Sequence, residues 1–361
     1  MKTIGDRELL QSKVIDYLRF PMIVGIVLLH AYLETIAGIR VPQEGVPMYH
    51  FLSFFISRVL AQVAVPLFFF ISGYLFFYQT VFSTKSYKAK LHSRIRTLLI
   101  PYIFWNMAVF AGYWGIAFFS PVEWTSGAYK PITDYTFYDY LLAFWRIHGI
   151  MPVNGVLWFI RDLMIVVVFS PLIYGVIRYL RWFALLLLGG MWILGLGGDS
   201  SIPSMTAVSF FSLGAGFSIE GRNFVADFKS FFPWGGVLYL LFAVGTVEIR
   251  GSQSFDYILR VDILLGIMAV VSLVAHYVEK GAWKPSVFLT GACFLVYASH
   301  QLPLNVLERV VIKMVHPTQD WQFLSVYFGG PLIIIALILS VYALLANYLP
   351  RFAAFITGNR S

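Results

Sequence analysis

Charge is what this sequence has least of. Asp, Glu, Lys and Arg make up only 12% of its 361 residues, about half of the ~25% usual in a soluble domain. Hydrophobic residues reach 59% and mean hydropathy is +0.76, which excludes a soluble or disordered chain and points to an integral membrane protein. Cysteine is almost absent. Cys293 stands alone, so an intramolecular disulfide and any multi-cysteine metal site are excluded. No HExxH, no paired Cys/His spacing and no acidic cluster occurs, and no metal site is expected. A phosphate loop, a GxGxxG turn and an assignable Ser-His-Asp triad are missing too. The first apolar run is long, carries charges and lacks a small-residue cleavage site, so it reads as a retained span and not as a signal peptide.

What is present is a series of apolar runs. Ten are long enough, or nearly so, to cross about 30 Å of hydrocarbon: near 14–36, 56–78, 97–119, 157–178, 182–197, 204–219, 233–249, 258–277, 286–306 and 323–348. The fifth and sixth are short and joined by the turn signal GGDSSIP. With the N-terminus inside, sixteen of the 26 Lys and Arg fall in cytoplasmic segments and six (Arg40, Lys130, Arg146, Arg250, Arg309 and Lys313) in external ones. That bias follows the positive-inside rule, puts both termini in the cytoplasm and fits an even number of spans. The net charge of +8 is therefore a matter of topology and gives no sign of nucleic-acid binding. Aromatics at 18% suit rings placed at two membrane interfaces. The fold expected is all-α, a polytopic helical bundle forming one domain over 1–361. Within the external connection Ser120–Val156, the segment Asp134–Arg146 has apolar residues at helical spacing and is expected to lie flat on the outer surface. No internal repeat is visible, which disfavours the common transporter architectures.

The stretch Asp16–Glu34, DYLRFPMIVGIVLLHAYLE, is apolar at its centre yet carries Asp16, Arg19, His30 and Glu34. Arg19 and His30 are eleven residues apart, about three turns and roughly 16 Å along a helix, so they share a face. Ionisable groups in hydrocarbon are expensive and face a protein interior or a wet cavity. One reading is a polar route with chemistry at His30, which in its neutral form accepts a proton. The other is that Arg19 snorkels to the interface and His30 bonds a neighbouring helix. Glu34, at i+4 from His30, either orients the imidazole or looks at water.

Further residues stand out. Ser72 and Gly73 interrupt the aromatic run VPLFFFISGYLFF: Ser72 is a candidate nucleophile, though small residues there more often allow close helix packing. Lys85, Lys88, Lys90, Arg94 and Arg96 form a basic stretch without acids. It either fixes topology or holds a multiply phosphorylated cytosolic ligand, with Arg94 and Arg96 the best placed. In NGVLWFIRDL, Trp158 and Arg161 share a face, and Arg161 and Asp162, being adjacent on a helix, each need a separate partner. His300 in FLVYASHQLP is about fourteen residues into its span, at a depth matching His30. Glu248, Arg250, Arg260 and Asp262 are expected to gather at an outer cavity suited to a hydroxyl-rich ligand.

Taken together, Arg19-x10-His30, FFFISG (Phe68–Gly73), the basic entrance Arg94 and Arg96 followed by Pro101 and Trp105, WFIRDL (Trp158, Phe159, Leu163) and Tyr297-x-x-His300-Gln301 resemble the membrane-bound acyltransferase-3 family of bacterial glycan O-acetyltransferases, over about 14 to 348. The family often carries Arg-x-x-Arg where this chain has Arg94-Ile-Arg96. The resemblance implies an acyl-coenzyme A donor, most simply acetyl-CoA, used as a substrate with no permanently bound cofactor. It implies a glycan or lipid-linked saccharide acceptor on the far side of a bacterial inner membrane. Membrane lipids are expected partners and a homo-oligomer is left open, because the sequence does not give the oligomeric state. The resemblance points to His30 as the catalytic histidine; the reading of the residues themselves adds Glu34 beside it, Arg19, Ser72, Lys90, Arg94 and Arg96 on the donor side, and Trp158, Arg161, Asp162 and His300 on the acceptor side. The competing readings are a proton-coupled secondary transporter of a polar or sugar-like solute, with Arg19, His30 and Glu34 as a relay, and a non-enzymatic export scaffold.

Overall fold

A computed structural model describes residues 4–36, 39–119, 132–147, 149, 151–198 and 201–358. Lys2, Lys130 and Arg360 of the charge count, part of the Ser120–Val156 connection and two residues of the GGDSSIP turn lie outside them. Every regular element among the described residues is helical. In chain order the principal helices are α1 (Ile4–His30), α2 (Pro47–Phe77), α3 (Thr84–Phe119), α4 (Trp158–Val168), α5 (Ser170–Leu180), α6 (Trp182–Ile193), α7 (Met205–Ile219), α8 (Trp234–Glu248), α9 (Phe255–Glu279), α10 (Val287–Ser299), α11 (Gln301–Val315) and α12 (Asp320–Tyr348). Each of the ten apolar runs coincides with a helix or a helix pair.

Four of these, α2, α3, α9 and α12, are long and apolar enough to cross a membrane. The count rises to six if the bent pairs ending in α5 and α11 are each one span. Each of these pairs divides one apolar run. The fourth run bends by 63° at Phe169, where Pro171 enters the first turn of α5. The ninth bends by 65° at His300. There Pro303 has no N–H to donate to the Ser299 carbonyl, and the helical ladder is interrupted. The segment Asp134–Arg146 is also less helical than its spacing predicts. Only Phe137–Leu142 forms a helix, started by a reciprocal cap between Thr136 and Asp139. It goes no further because the Ala143 carbonyl accepts from the Val153 N–H at 2.7 Å and not from a following turn.

The chain groups into two compact units, each built from separated stretches: 1–25, 58–94 and 162–290 in the first, 26–57, 95–161 and 291–361 in the second. In the first unit, α2 and α7 touch backbone to backbone. A Cβ added at Gly73 would collide with the Phe211 carbonyl, and one at Gly214 with the Phe70 carbonyl, so each glycine admits the facing helix. Phe70 and Phe217 then meet edge to face at 5.5 Å. In the second unit, Trp105 donates to the Ile356 carbonyl at 3.0 Å. There the first residues of α12 also receive the Tyr49 N–H, on the Asp320 carboxylate at 2.7 Å.

Candidate functional site

Two histidines meet in the second unit. The rings of His30 and His300 lie 5.4 Å apart, tilted by 48°. His30 is the last residue of α1 and is partly exposed, whereas His300 is completely buried. Helix α1 stops here although neither Gly nor Pro follows. The carbonyl that a continuing helix would offer to the Tyr32 N–H, that of Leu28, instead accepts from Ser57 Oγ at 2.6 Å, and Tyr32 turns to extended backbone. Ser57 sits in the wide π turn Phe55–Val59 within α2 and also bonds the Tyr327 hydroxyl at 2.8 Å. An unpaired carbonyl at a helix end is thus satisfied from another helix, and His30 is left at the terminus.

His300 occupies the break between α10 and α11. Its Nδ1 lies 3.0 Å from the Val296 carbonyl and 2.9 Å from that of Tyr297. Only a protonated Nδ1 can bond two acceptors, so Nε2 carries the free lone pair. Among the described residues Nε2 has no hydrogen-bond partner. The loop before α4 holds this break in place. Asn154 donates its amide to the Ala298 carbonyl at 2.9 Å and its backbone N–H to Asn106 Oδ1 at 3.2 Å, and Tyr297 donates its hydroxyl to the Val156 carbonyl. A side chain at Gly155 would come within 3.1 Å of Gln301 Oε1, so glycine keeps room for that amide. The arrangement joins a reachable imidazole, at the partially negative end of a helix that favours a cation, to a second imidazole of defined tautomer.

Glu34 does not sit one turn beyond His30. Because α1 has ended, Glu34 lies in the turn Leu33–Thr35, where its two oxygens take the Tyr32 hydroxyl and His50 Nδ1, each at 2.7 Å. His50, not His30, is its imidazole partner, and this corrects the pairing expected from spacing. Arg161 and Asp162 do find separate partners. In the second unit Arg161, 1% exposed, donates to the Trp145 carbonyl at 2.7 Å and lies over that residue's ring. In the first, Asp162 accepts from the Ser204 N–H at 2.8 Å, at the start of α7. Trp158, the first residue of α4, is partly buried.

The residues expected on the donor side are distributed as follows. Arg19 lies on α1 and pairs with Asp16 at 3.3 Å, both partly exposed. Lys90 donates to the Phe76 carbonyl and covers the Phe76 ring, so its ammonium closes the C-terminal end of α2. Arg94 ends a regular stretch of α3, and Arg96 follows on the π turn Ile95–Leu99; neither guanidinium has a partner among the described residues. Ser72 is partly buried beside Gly73. Of the outer cluster expected from the sequence, Arg260 reaches the Ile193 carbonyl at 3.2 Å, where α6 ends, and Asp262 is completely buried.

Sequence reasoning missed several partners. Ser57, Tyr327 and His50 act through contacts remote in the chain. Glu308 on α11 is fully buried with neither carboxyl oxygen partnered among the described residues; it lies against Gly330 of α12. A lone Glu beside Arg309 near the end of an apolar run was the only sign of it.

The family model for the acyltransferase domain numbered 3 matches residues 13–345. The chain belongs to the acyltransferase-3 family. This acyltransferase-3 chain is 25% identical over 364 residues to the succinoglycan biosynthesis protein ExoH of Rhizobium meliloti (strain 1021), covering 97% of the chain and 93% of that relative. No solved structure matches it. His30, His300, Asn154 and Arg161 all lie within the matched stretch.

Proposed function

We propose that this acyltransferase moves an acyl group, acetyl in the simplest case, from cytosolic acyl-CoA to a hydroxyl of an envelope or exported polysaccharide, from a bacterial inner membrane that the chain crosses about ten times with both termini inside. The observation that carries the reading is the adjacency of His30 and His300 within a chain matched almost end to end by the acyltransferase-3 family. The role of ExoH in succinoglycan biosynthesis favours a polysaccharide acceptor. The distribution of Lys and Arg supports the orientation.

In this reaction the acceptor oxygen attacks the thioester carbonyl carbon. His30 takes the hydroxyl proton as the new C–O bond forms, and the C–S bond then breaks. The departing coenzyme A thiolate takes up that proton, leaving an ester and the free thiol. A positioned base of this kind contributes about 10² to 10⁴ in rate. His300 Nε2 accepts a hydrogen bond from His30 or from the incoming hydroxyl and so fixes the line of attack. Arg19, Arg94 and Arg96 are the candidates for the donor's phosphates, since guanidinium groups match phosphate geometry.

The test is mass spectrometry of surface polysaccharide from cells carrying the wild-type chain, the His30→Ala variant or neither. Acyl esters are expected only with the wild type, at equal protein levels. Esters at wild-type levels in His30→Ala cells would remove the base from His30. Polysaccharide without esters in wild-type cells would remove the acceptor class.

A further inference from the structure

A cleft of about 770 Å³ opens in the first unit where the first turns of α1, the residues after α2, the last turn of α5 and the end of α7 come together. Its floor is polar and incompletely satisfied. Gln11 is 2% exposed, and its Nε2 donates to the Tyr74 hydroxyl at 2.9 Å. That hydroxyl donates onward to the Arg222 carbonyl at 3.2 Å. A phenol that donates to a carbonyl must accept from Gln11, so the amide orientation is set and Oε1 is the free end. Among the described residues Gln11 Oε1 has no partner, and neither has Ser218 Oγ on the same wall. A buried acceptor left unpaired costs about 1–3 kcal/mol, which a ligand donor would recover.

The walls are aromatic and the rim is basic. Tyr74 and Tyr78 stack at 5.4 Å, and Phe82 and Tyr174 at 4.6 Å. Two carboxylates line the cleft and both are engaged: Asp227 by Arg222 at 2.8 Å, Glu8 by Gln79 at 3.3 Å. Arg7 and Arg178 are exposed, and their guanidinium groups have no partner among the described residues. Flat aromatic faces, a buried acceptor and two uncommitted guanidinium groups match a planar base, an amine or hydroxyl donor and a phosphate.

We propose that this cleft binds a nucleoside phosphate, with its base against the tyrosine wall, an amine or hydroxyl on Gln11 Oε1 and phosphate between Arg7 and Arg178. On the charge-count orientation all these segments are cytoplasmic. The same chemistry belongs to the nucleotide end of a coenzyme A thioester, an assignment that rests on the function proposed above, and to a free nucleotide.

Titration calorimetry of the full-length protein in detergent with adenosine 3′,5′-bisphosphate, ADP and adenosine tests this. Both phosphates are expected to bind and adenosine to bind at least about tenfold more weakly. Arg7→Ala and Arg178→Ala should each weaken phosphate binding by about tenfold, the loss of one charge-assisted contact. Lys284→Ala, outside the lining of the cleft, should not. Tighter binding of the bisphosphate assigns the site to the coenzyme, and tighter binding of ADP assigns it to a free nucleotide. No heat with either phosphate, or unchanged affinity in both arginine variants, overturns the site. A wild-type protein that transfers acyl groups yet binds neither phosphate refutes the cleft alone. One that binds them with arginine dependence but acylates nothing refutes the proposed reaction alone.

Discussion

Replacing His300 by Asn or by Gln separates its two nitrogens. The Asn amide nitrogen falls near the position of Nδ1, so His300→Asn keeps a donor for the Val296 and Tyr297 carbonyls, now 3.0 and 2.9 Å from Nδ1, and removes Nε2. His300→Gln reaches toward the Nε2 position with an oxygen that can still accept. If Nε2 orients His30 or the acceptor hydroxyl, His300→Asn removes one buried hydrogen bond, worth about 1 kcal/mol, and slows transfer about five- to tenfold. His300→Gln should lose less. His30→Ala should lose about 10² to 10⁴. In the His30→Ala background the further step to His300→Asn should cost almost nothing, because groups that act as a unit are not additive. The assay is thiol release from acyl-CoA by membranes of cells making the acceptor, normalised to folded protein by size-exclusion chromatography. An equal loss from His300→Asn with and without His30 would refute the coupling, since the second imidazole would then act independently of the first.

Three other substitutions probe the surroundings. Gly73→Ala drives a methyl group into the Phe211 carbonyl and should destabilise by about 1–3 kcal/mol; an unchanged unfolding temperature in detergent would contradict the contact between α2 and α7. Asp162→Ala strands the Ser204 N–H and should cost about 1–3 kcal/mol of stability, read by the same melt, while Asp162→Asn recovers part of it. Glu34→Gln weakens a partly exposed pair with His50, worth up to about 1 kcal/mol. The pH profile of thiol release should stay as in the wild type, and a displaced profile would restore Glu34 as a partner of the catalytic base.

Helix positions were legible because apolar runs long enough for membrane-type helices can hide their backbone polar groups only by bonding them internally. Counting residues along two separate helices also put His30 and His300 at one level, and the rings do adjoin. The Glu34 pairing failed for a physical reason: i+4 spacing has meaning only while the helix continues, and α1 ends through a hydroxyl twenty-nine positions away in sequence. Glu308 and Tyr327 were illegible for the same cause, since their surroundings are set by other helices.

Proline shows most clearly where local signals stop being sufficient. Pro21 and Pro331 lie inside unbroken helices, whereas Pro171 and Pro303 accompany bends of 63° and 65°. Each removes one backbone donor, so the missing N–H alone does not decide between a tolerated gap and a break. At His300 other partners settle it. Asn154 takes the Ala298 carbonyl, and the imidazole takes those of Val296 and Tyr297. Three successive carbonyls are thus bonded by side chains where the chain changes direction. A break held this way presents His300 Nε2 at a defined angle, which an unbroken helix with the same proline would not do. Asn154→Ala should therefore reduce transfer even though Asn154 is assigned no contact with the substrate. Asn154→Asp, which can offer no amide to Ala298, should not rescue it, while Asn154→Gln, with its donor displaced by one methylene, should recover folding before it recovers rate.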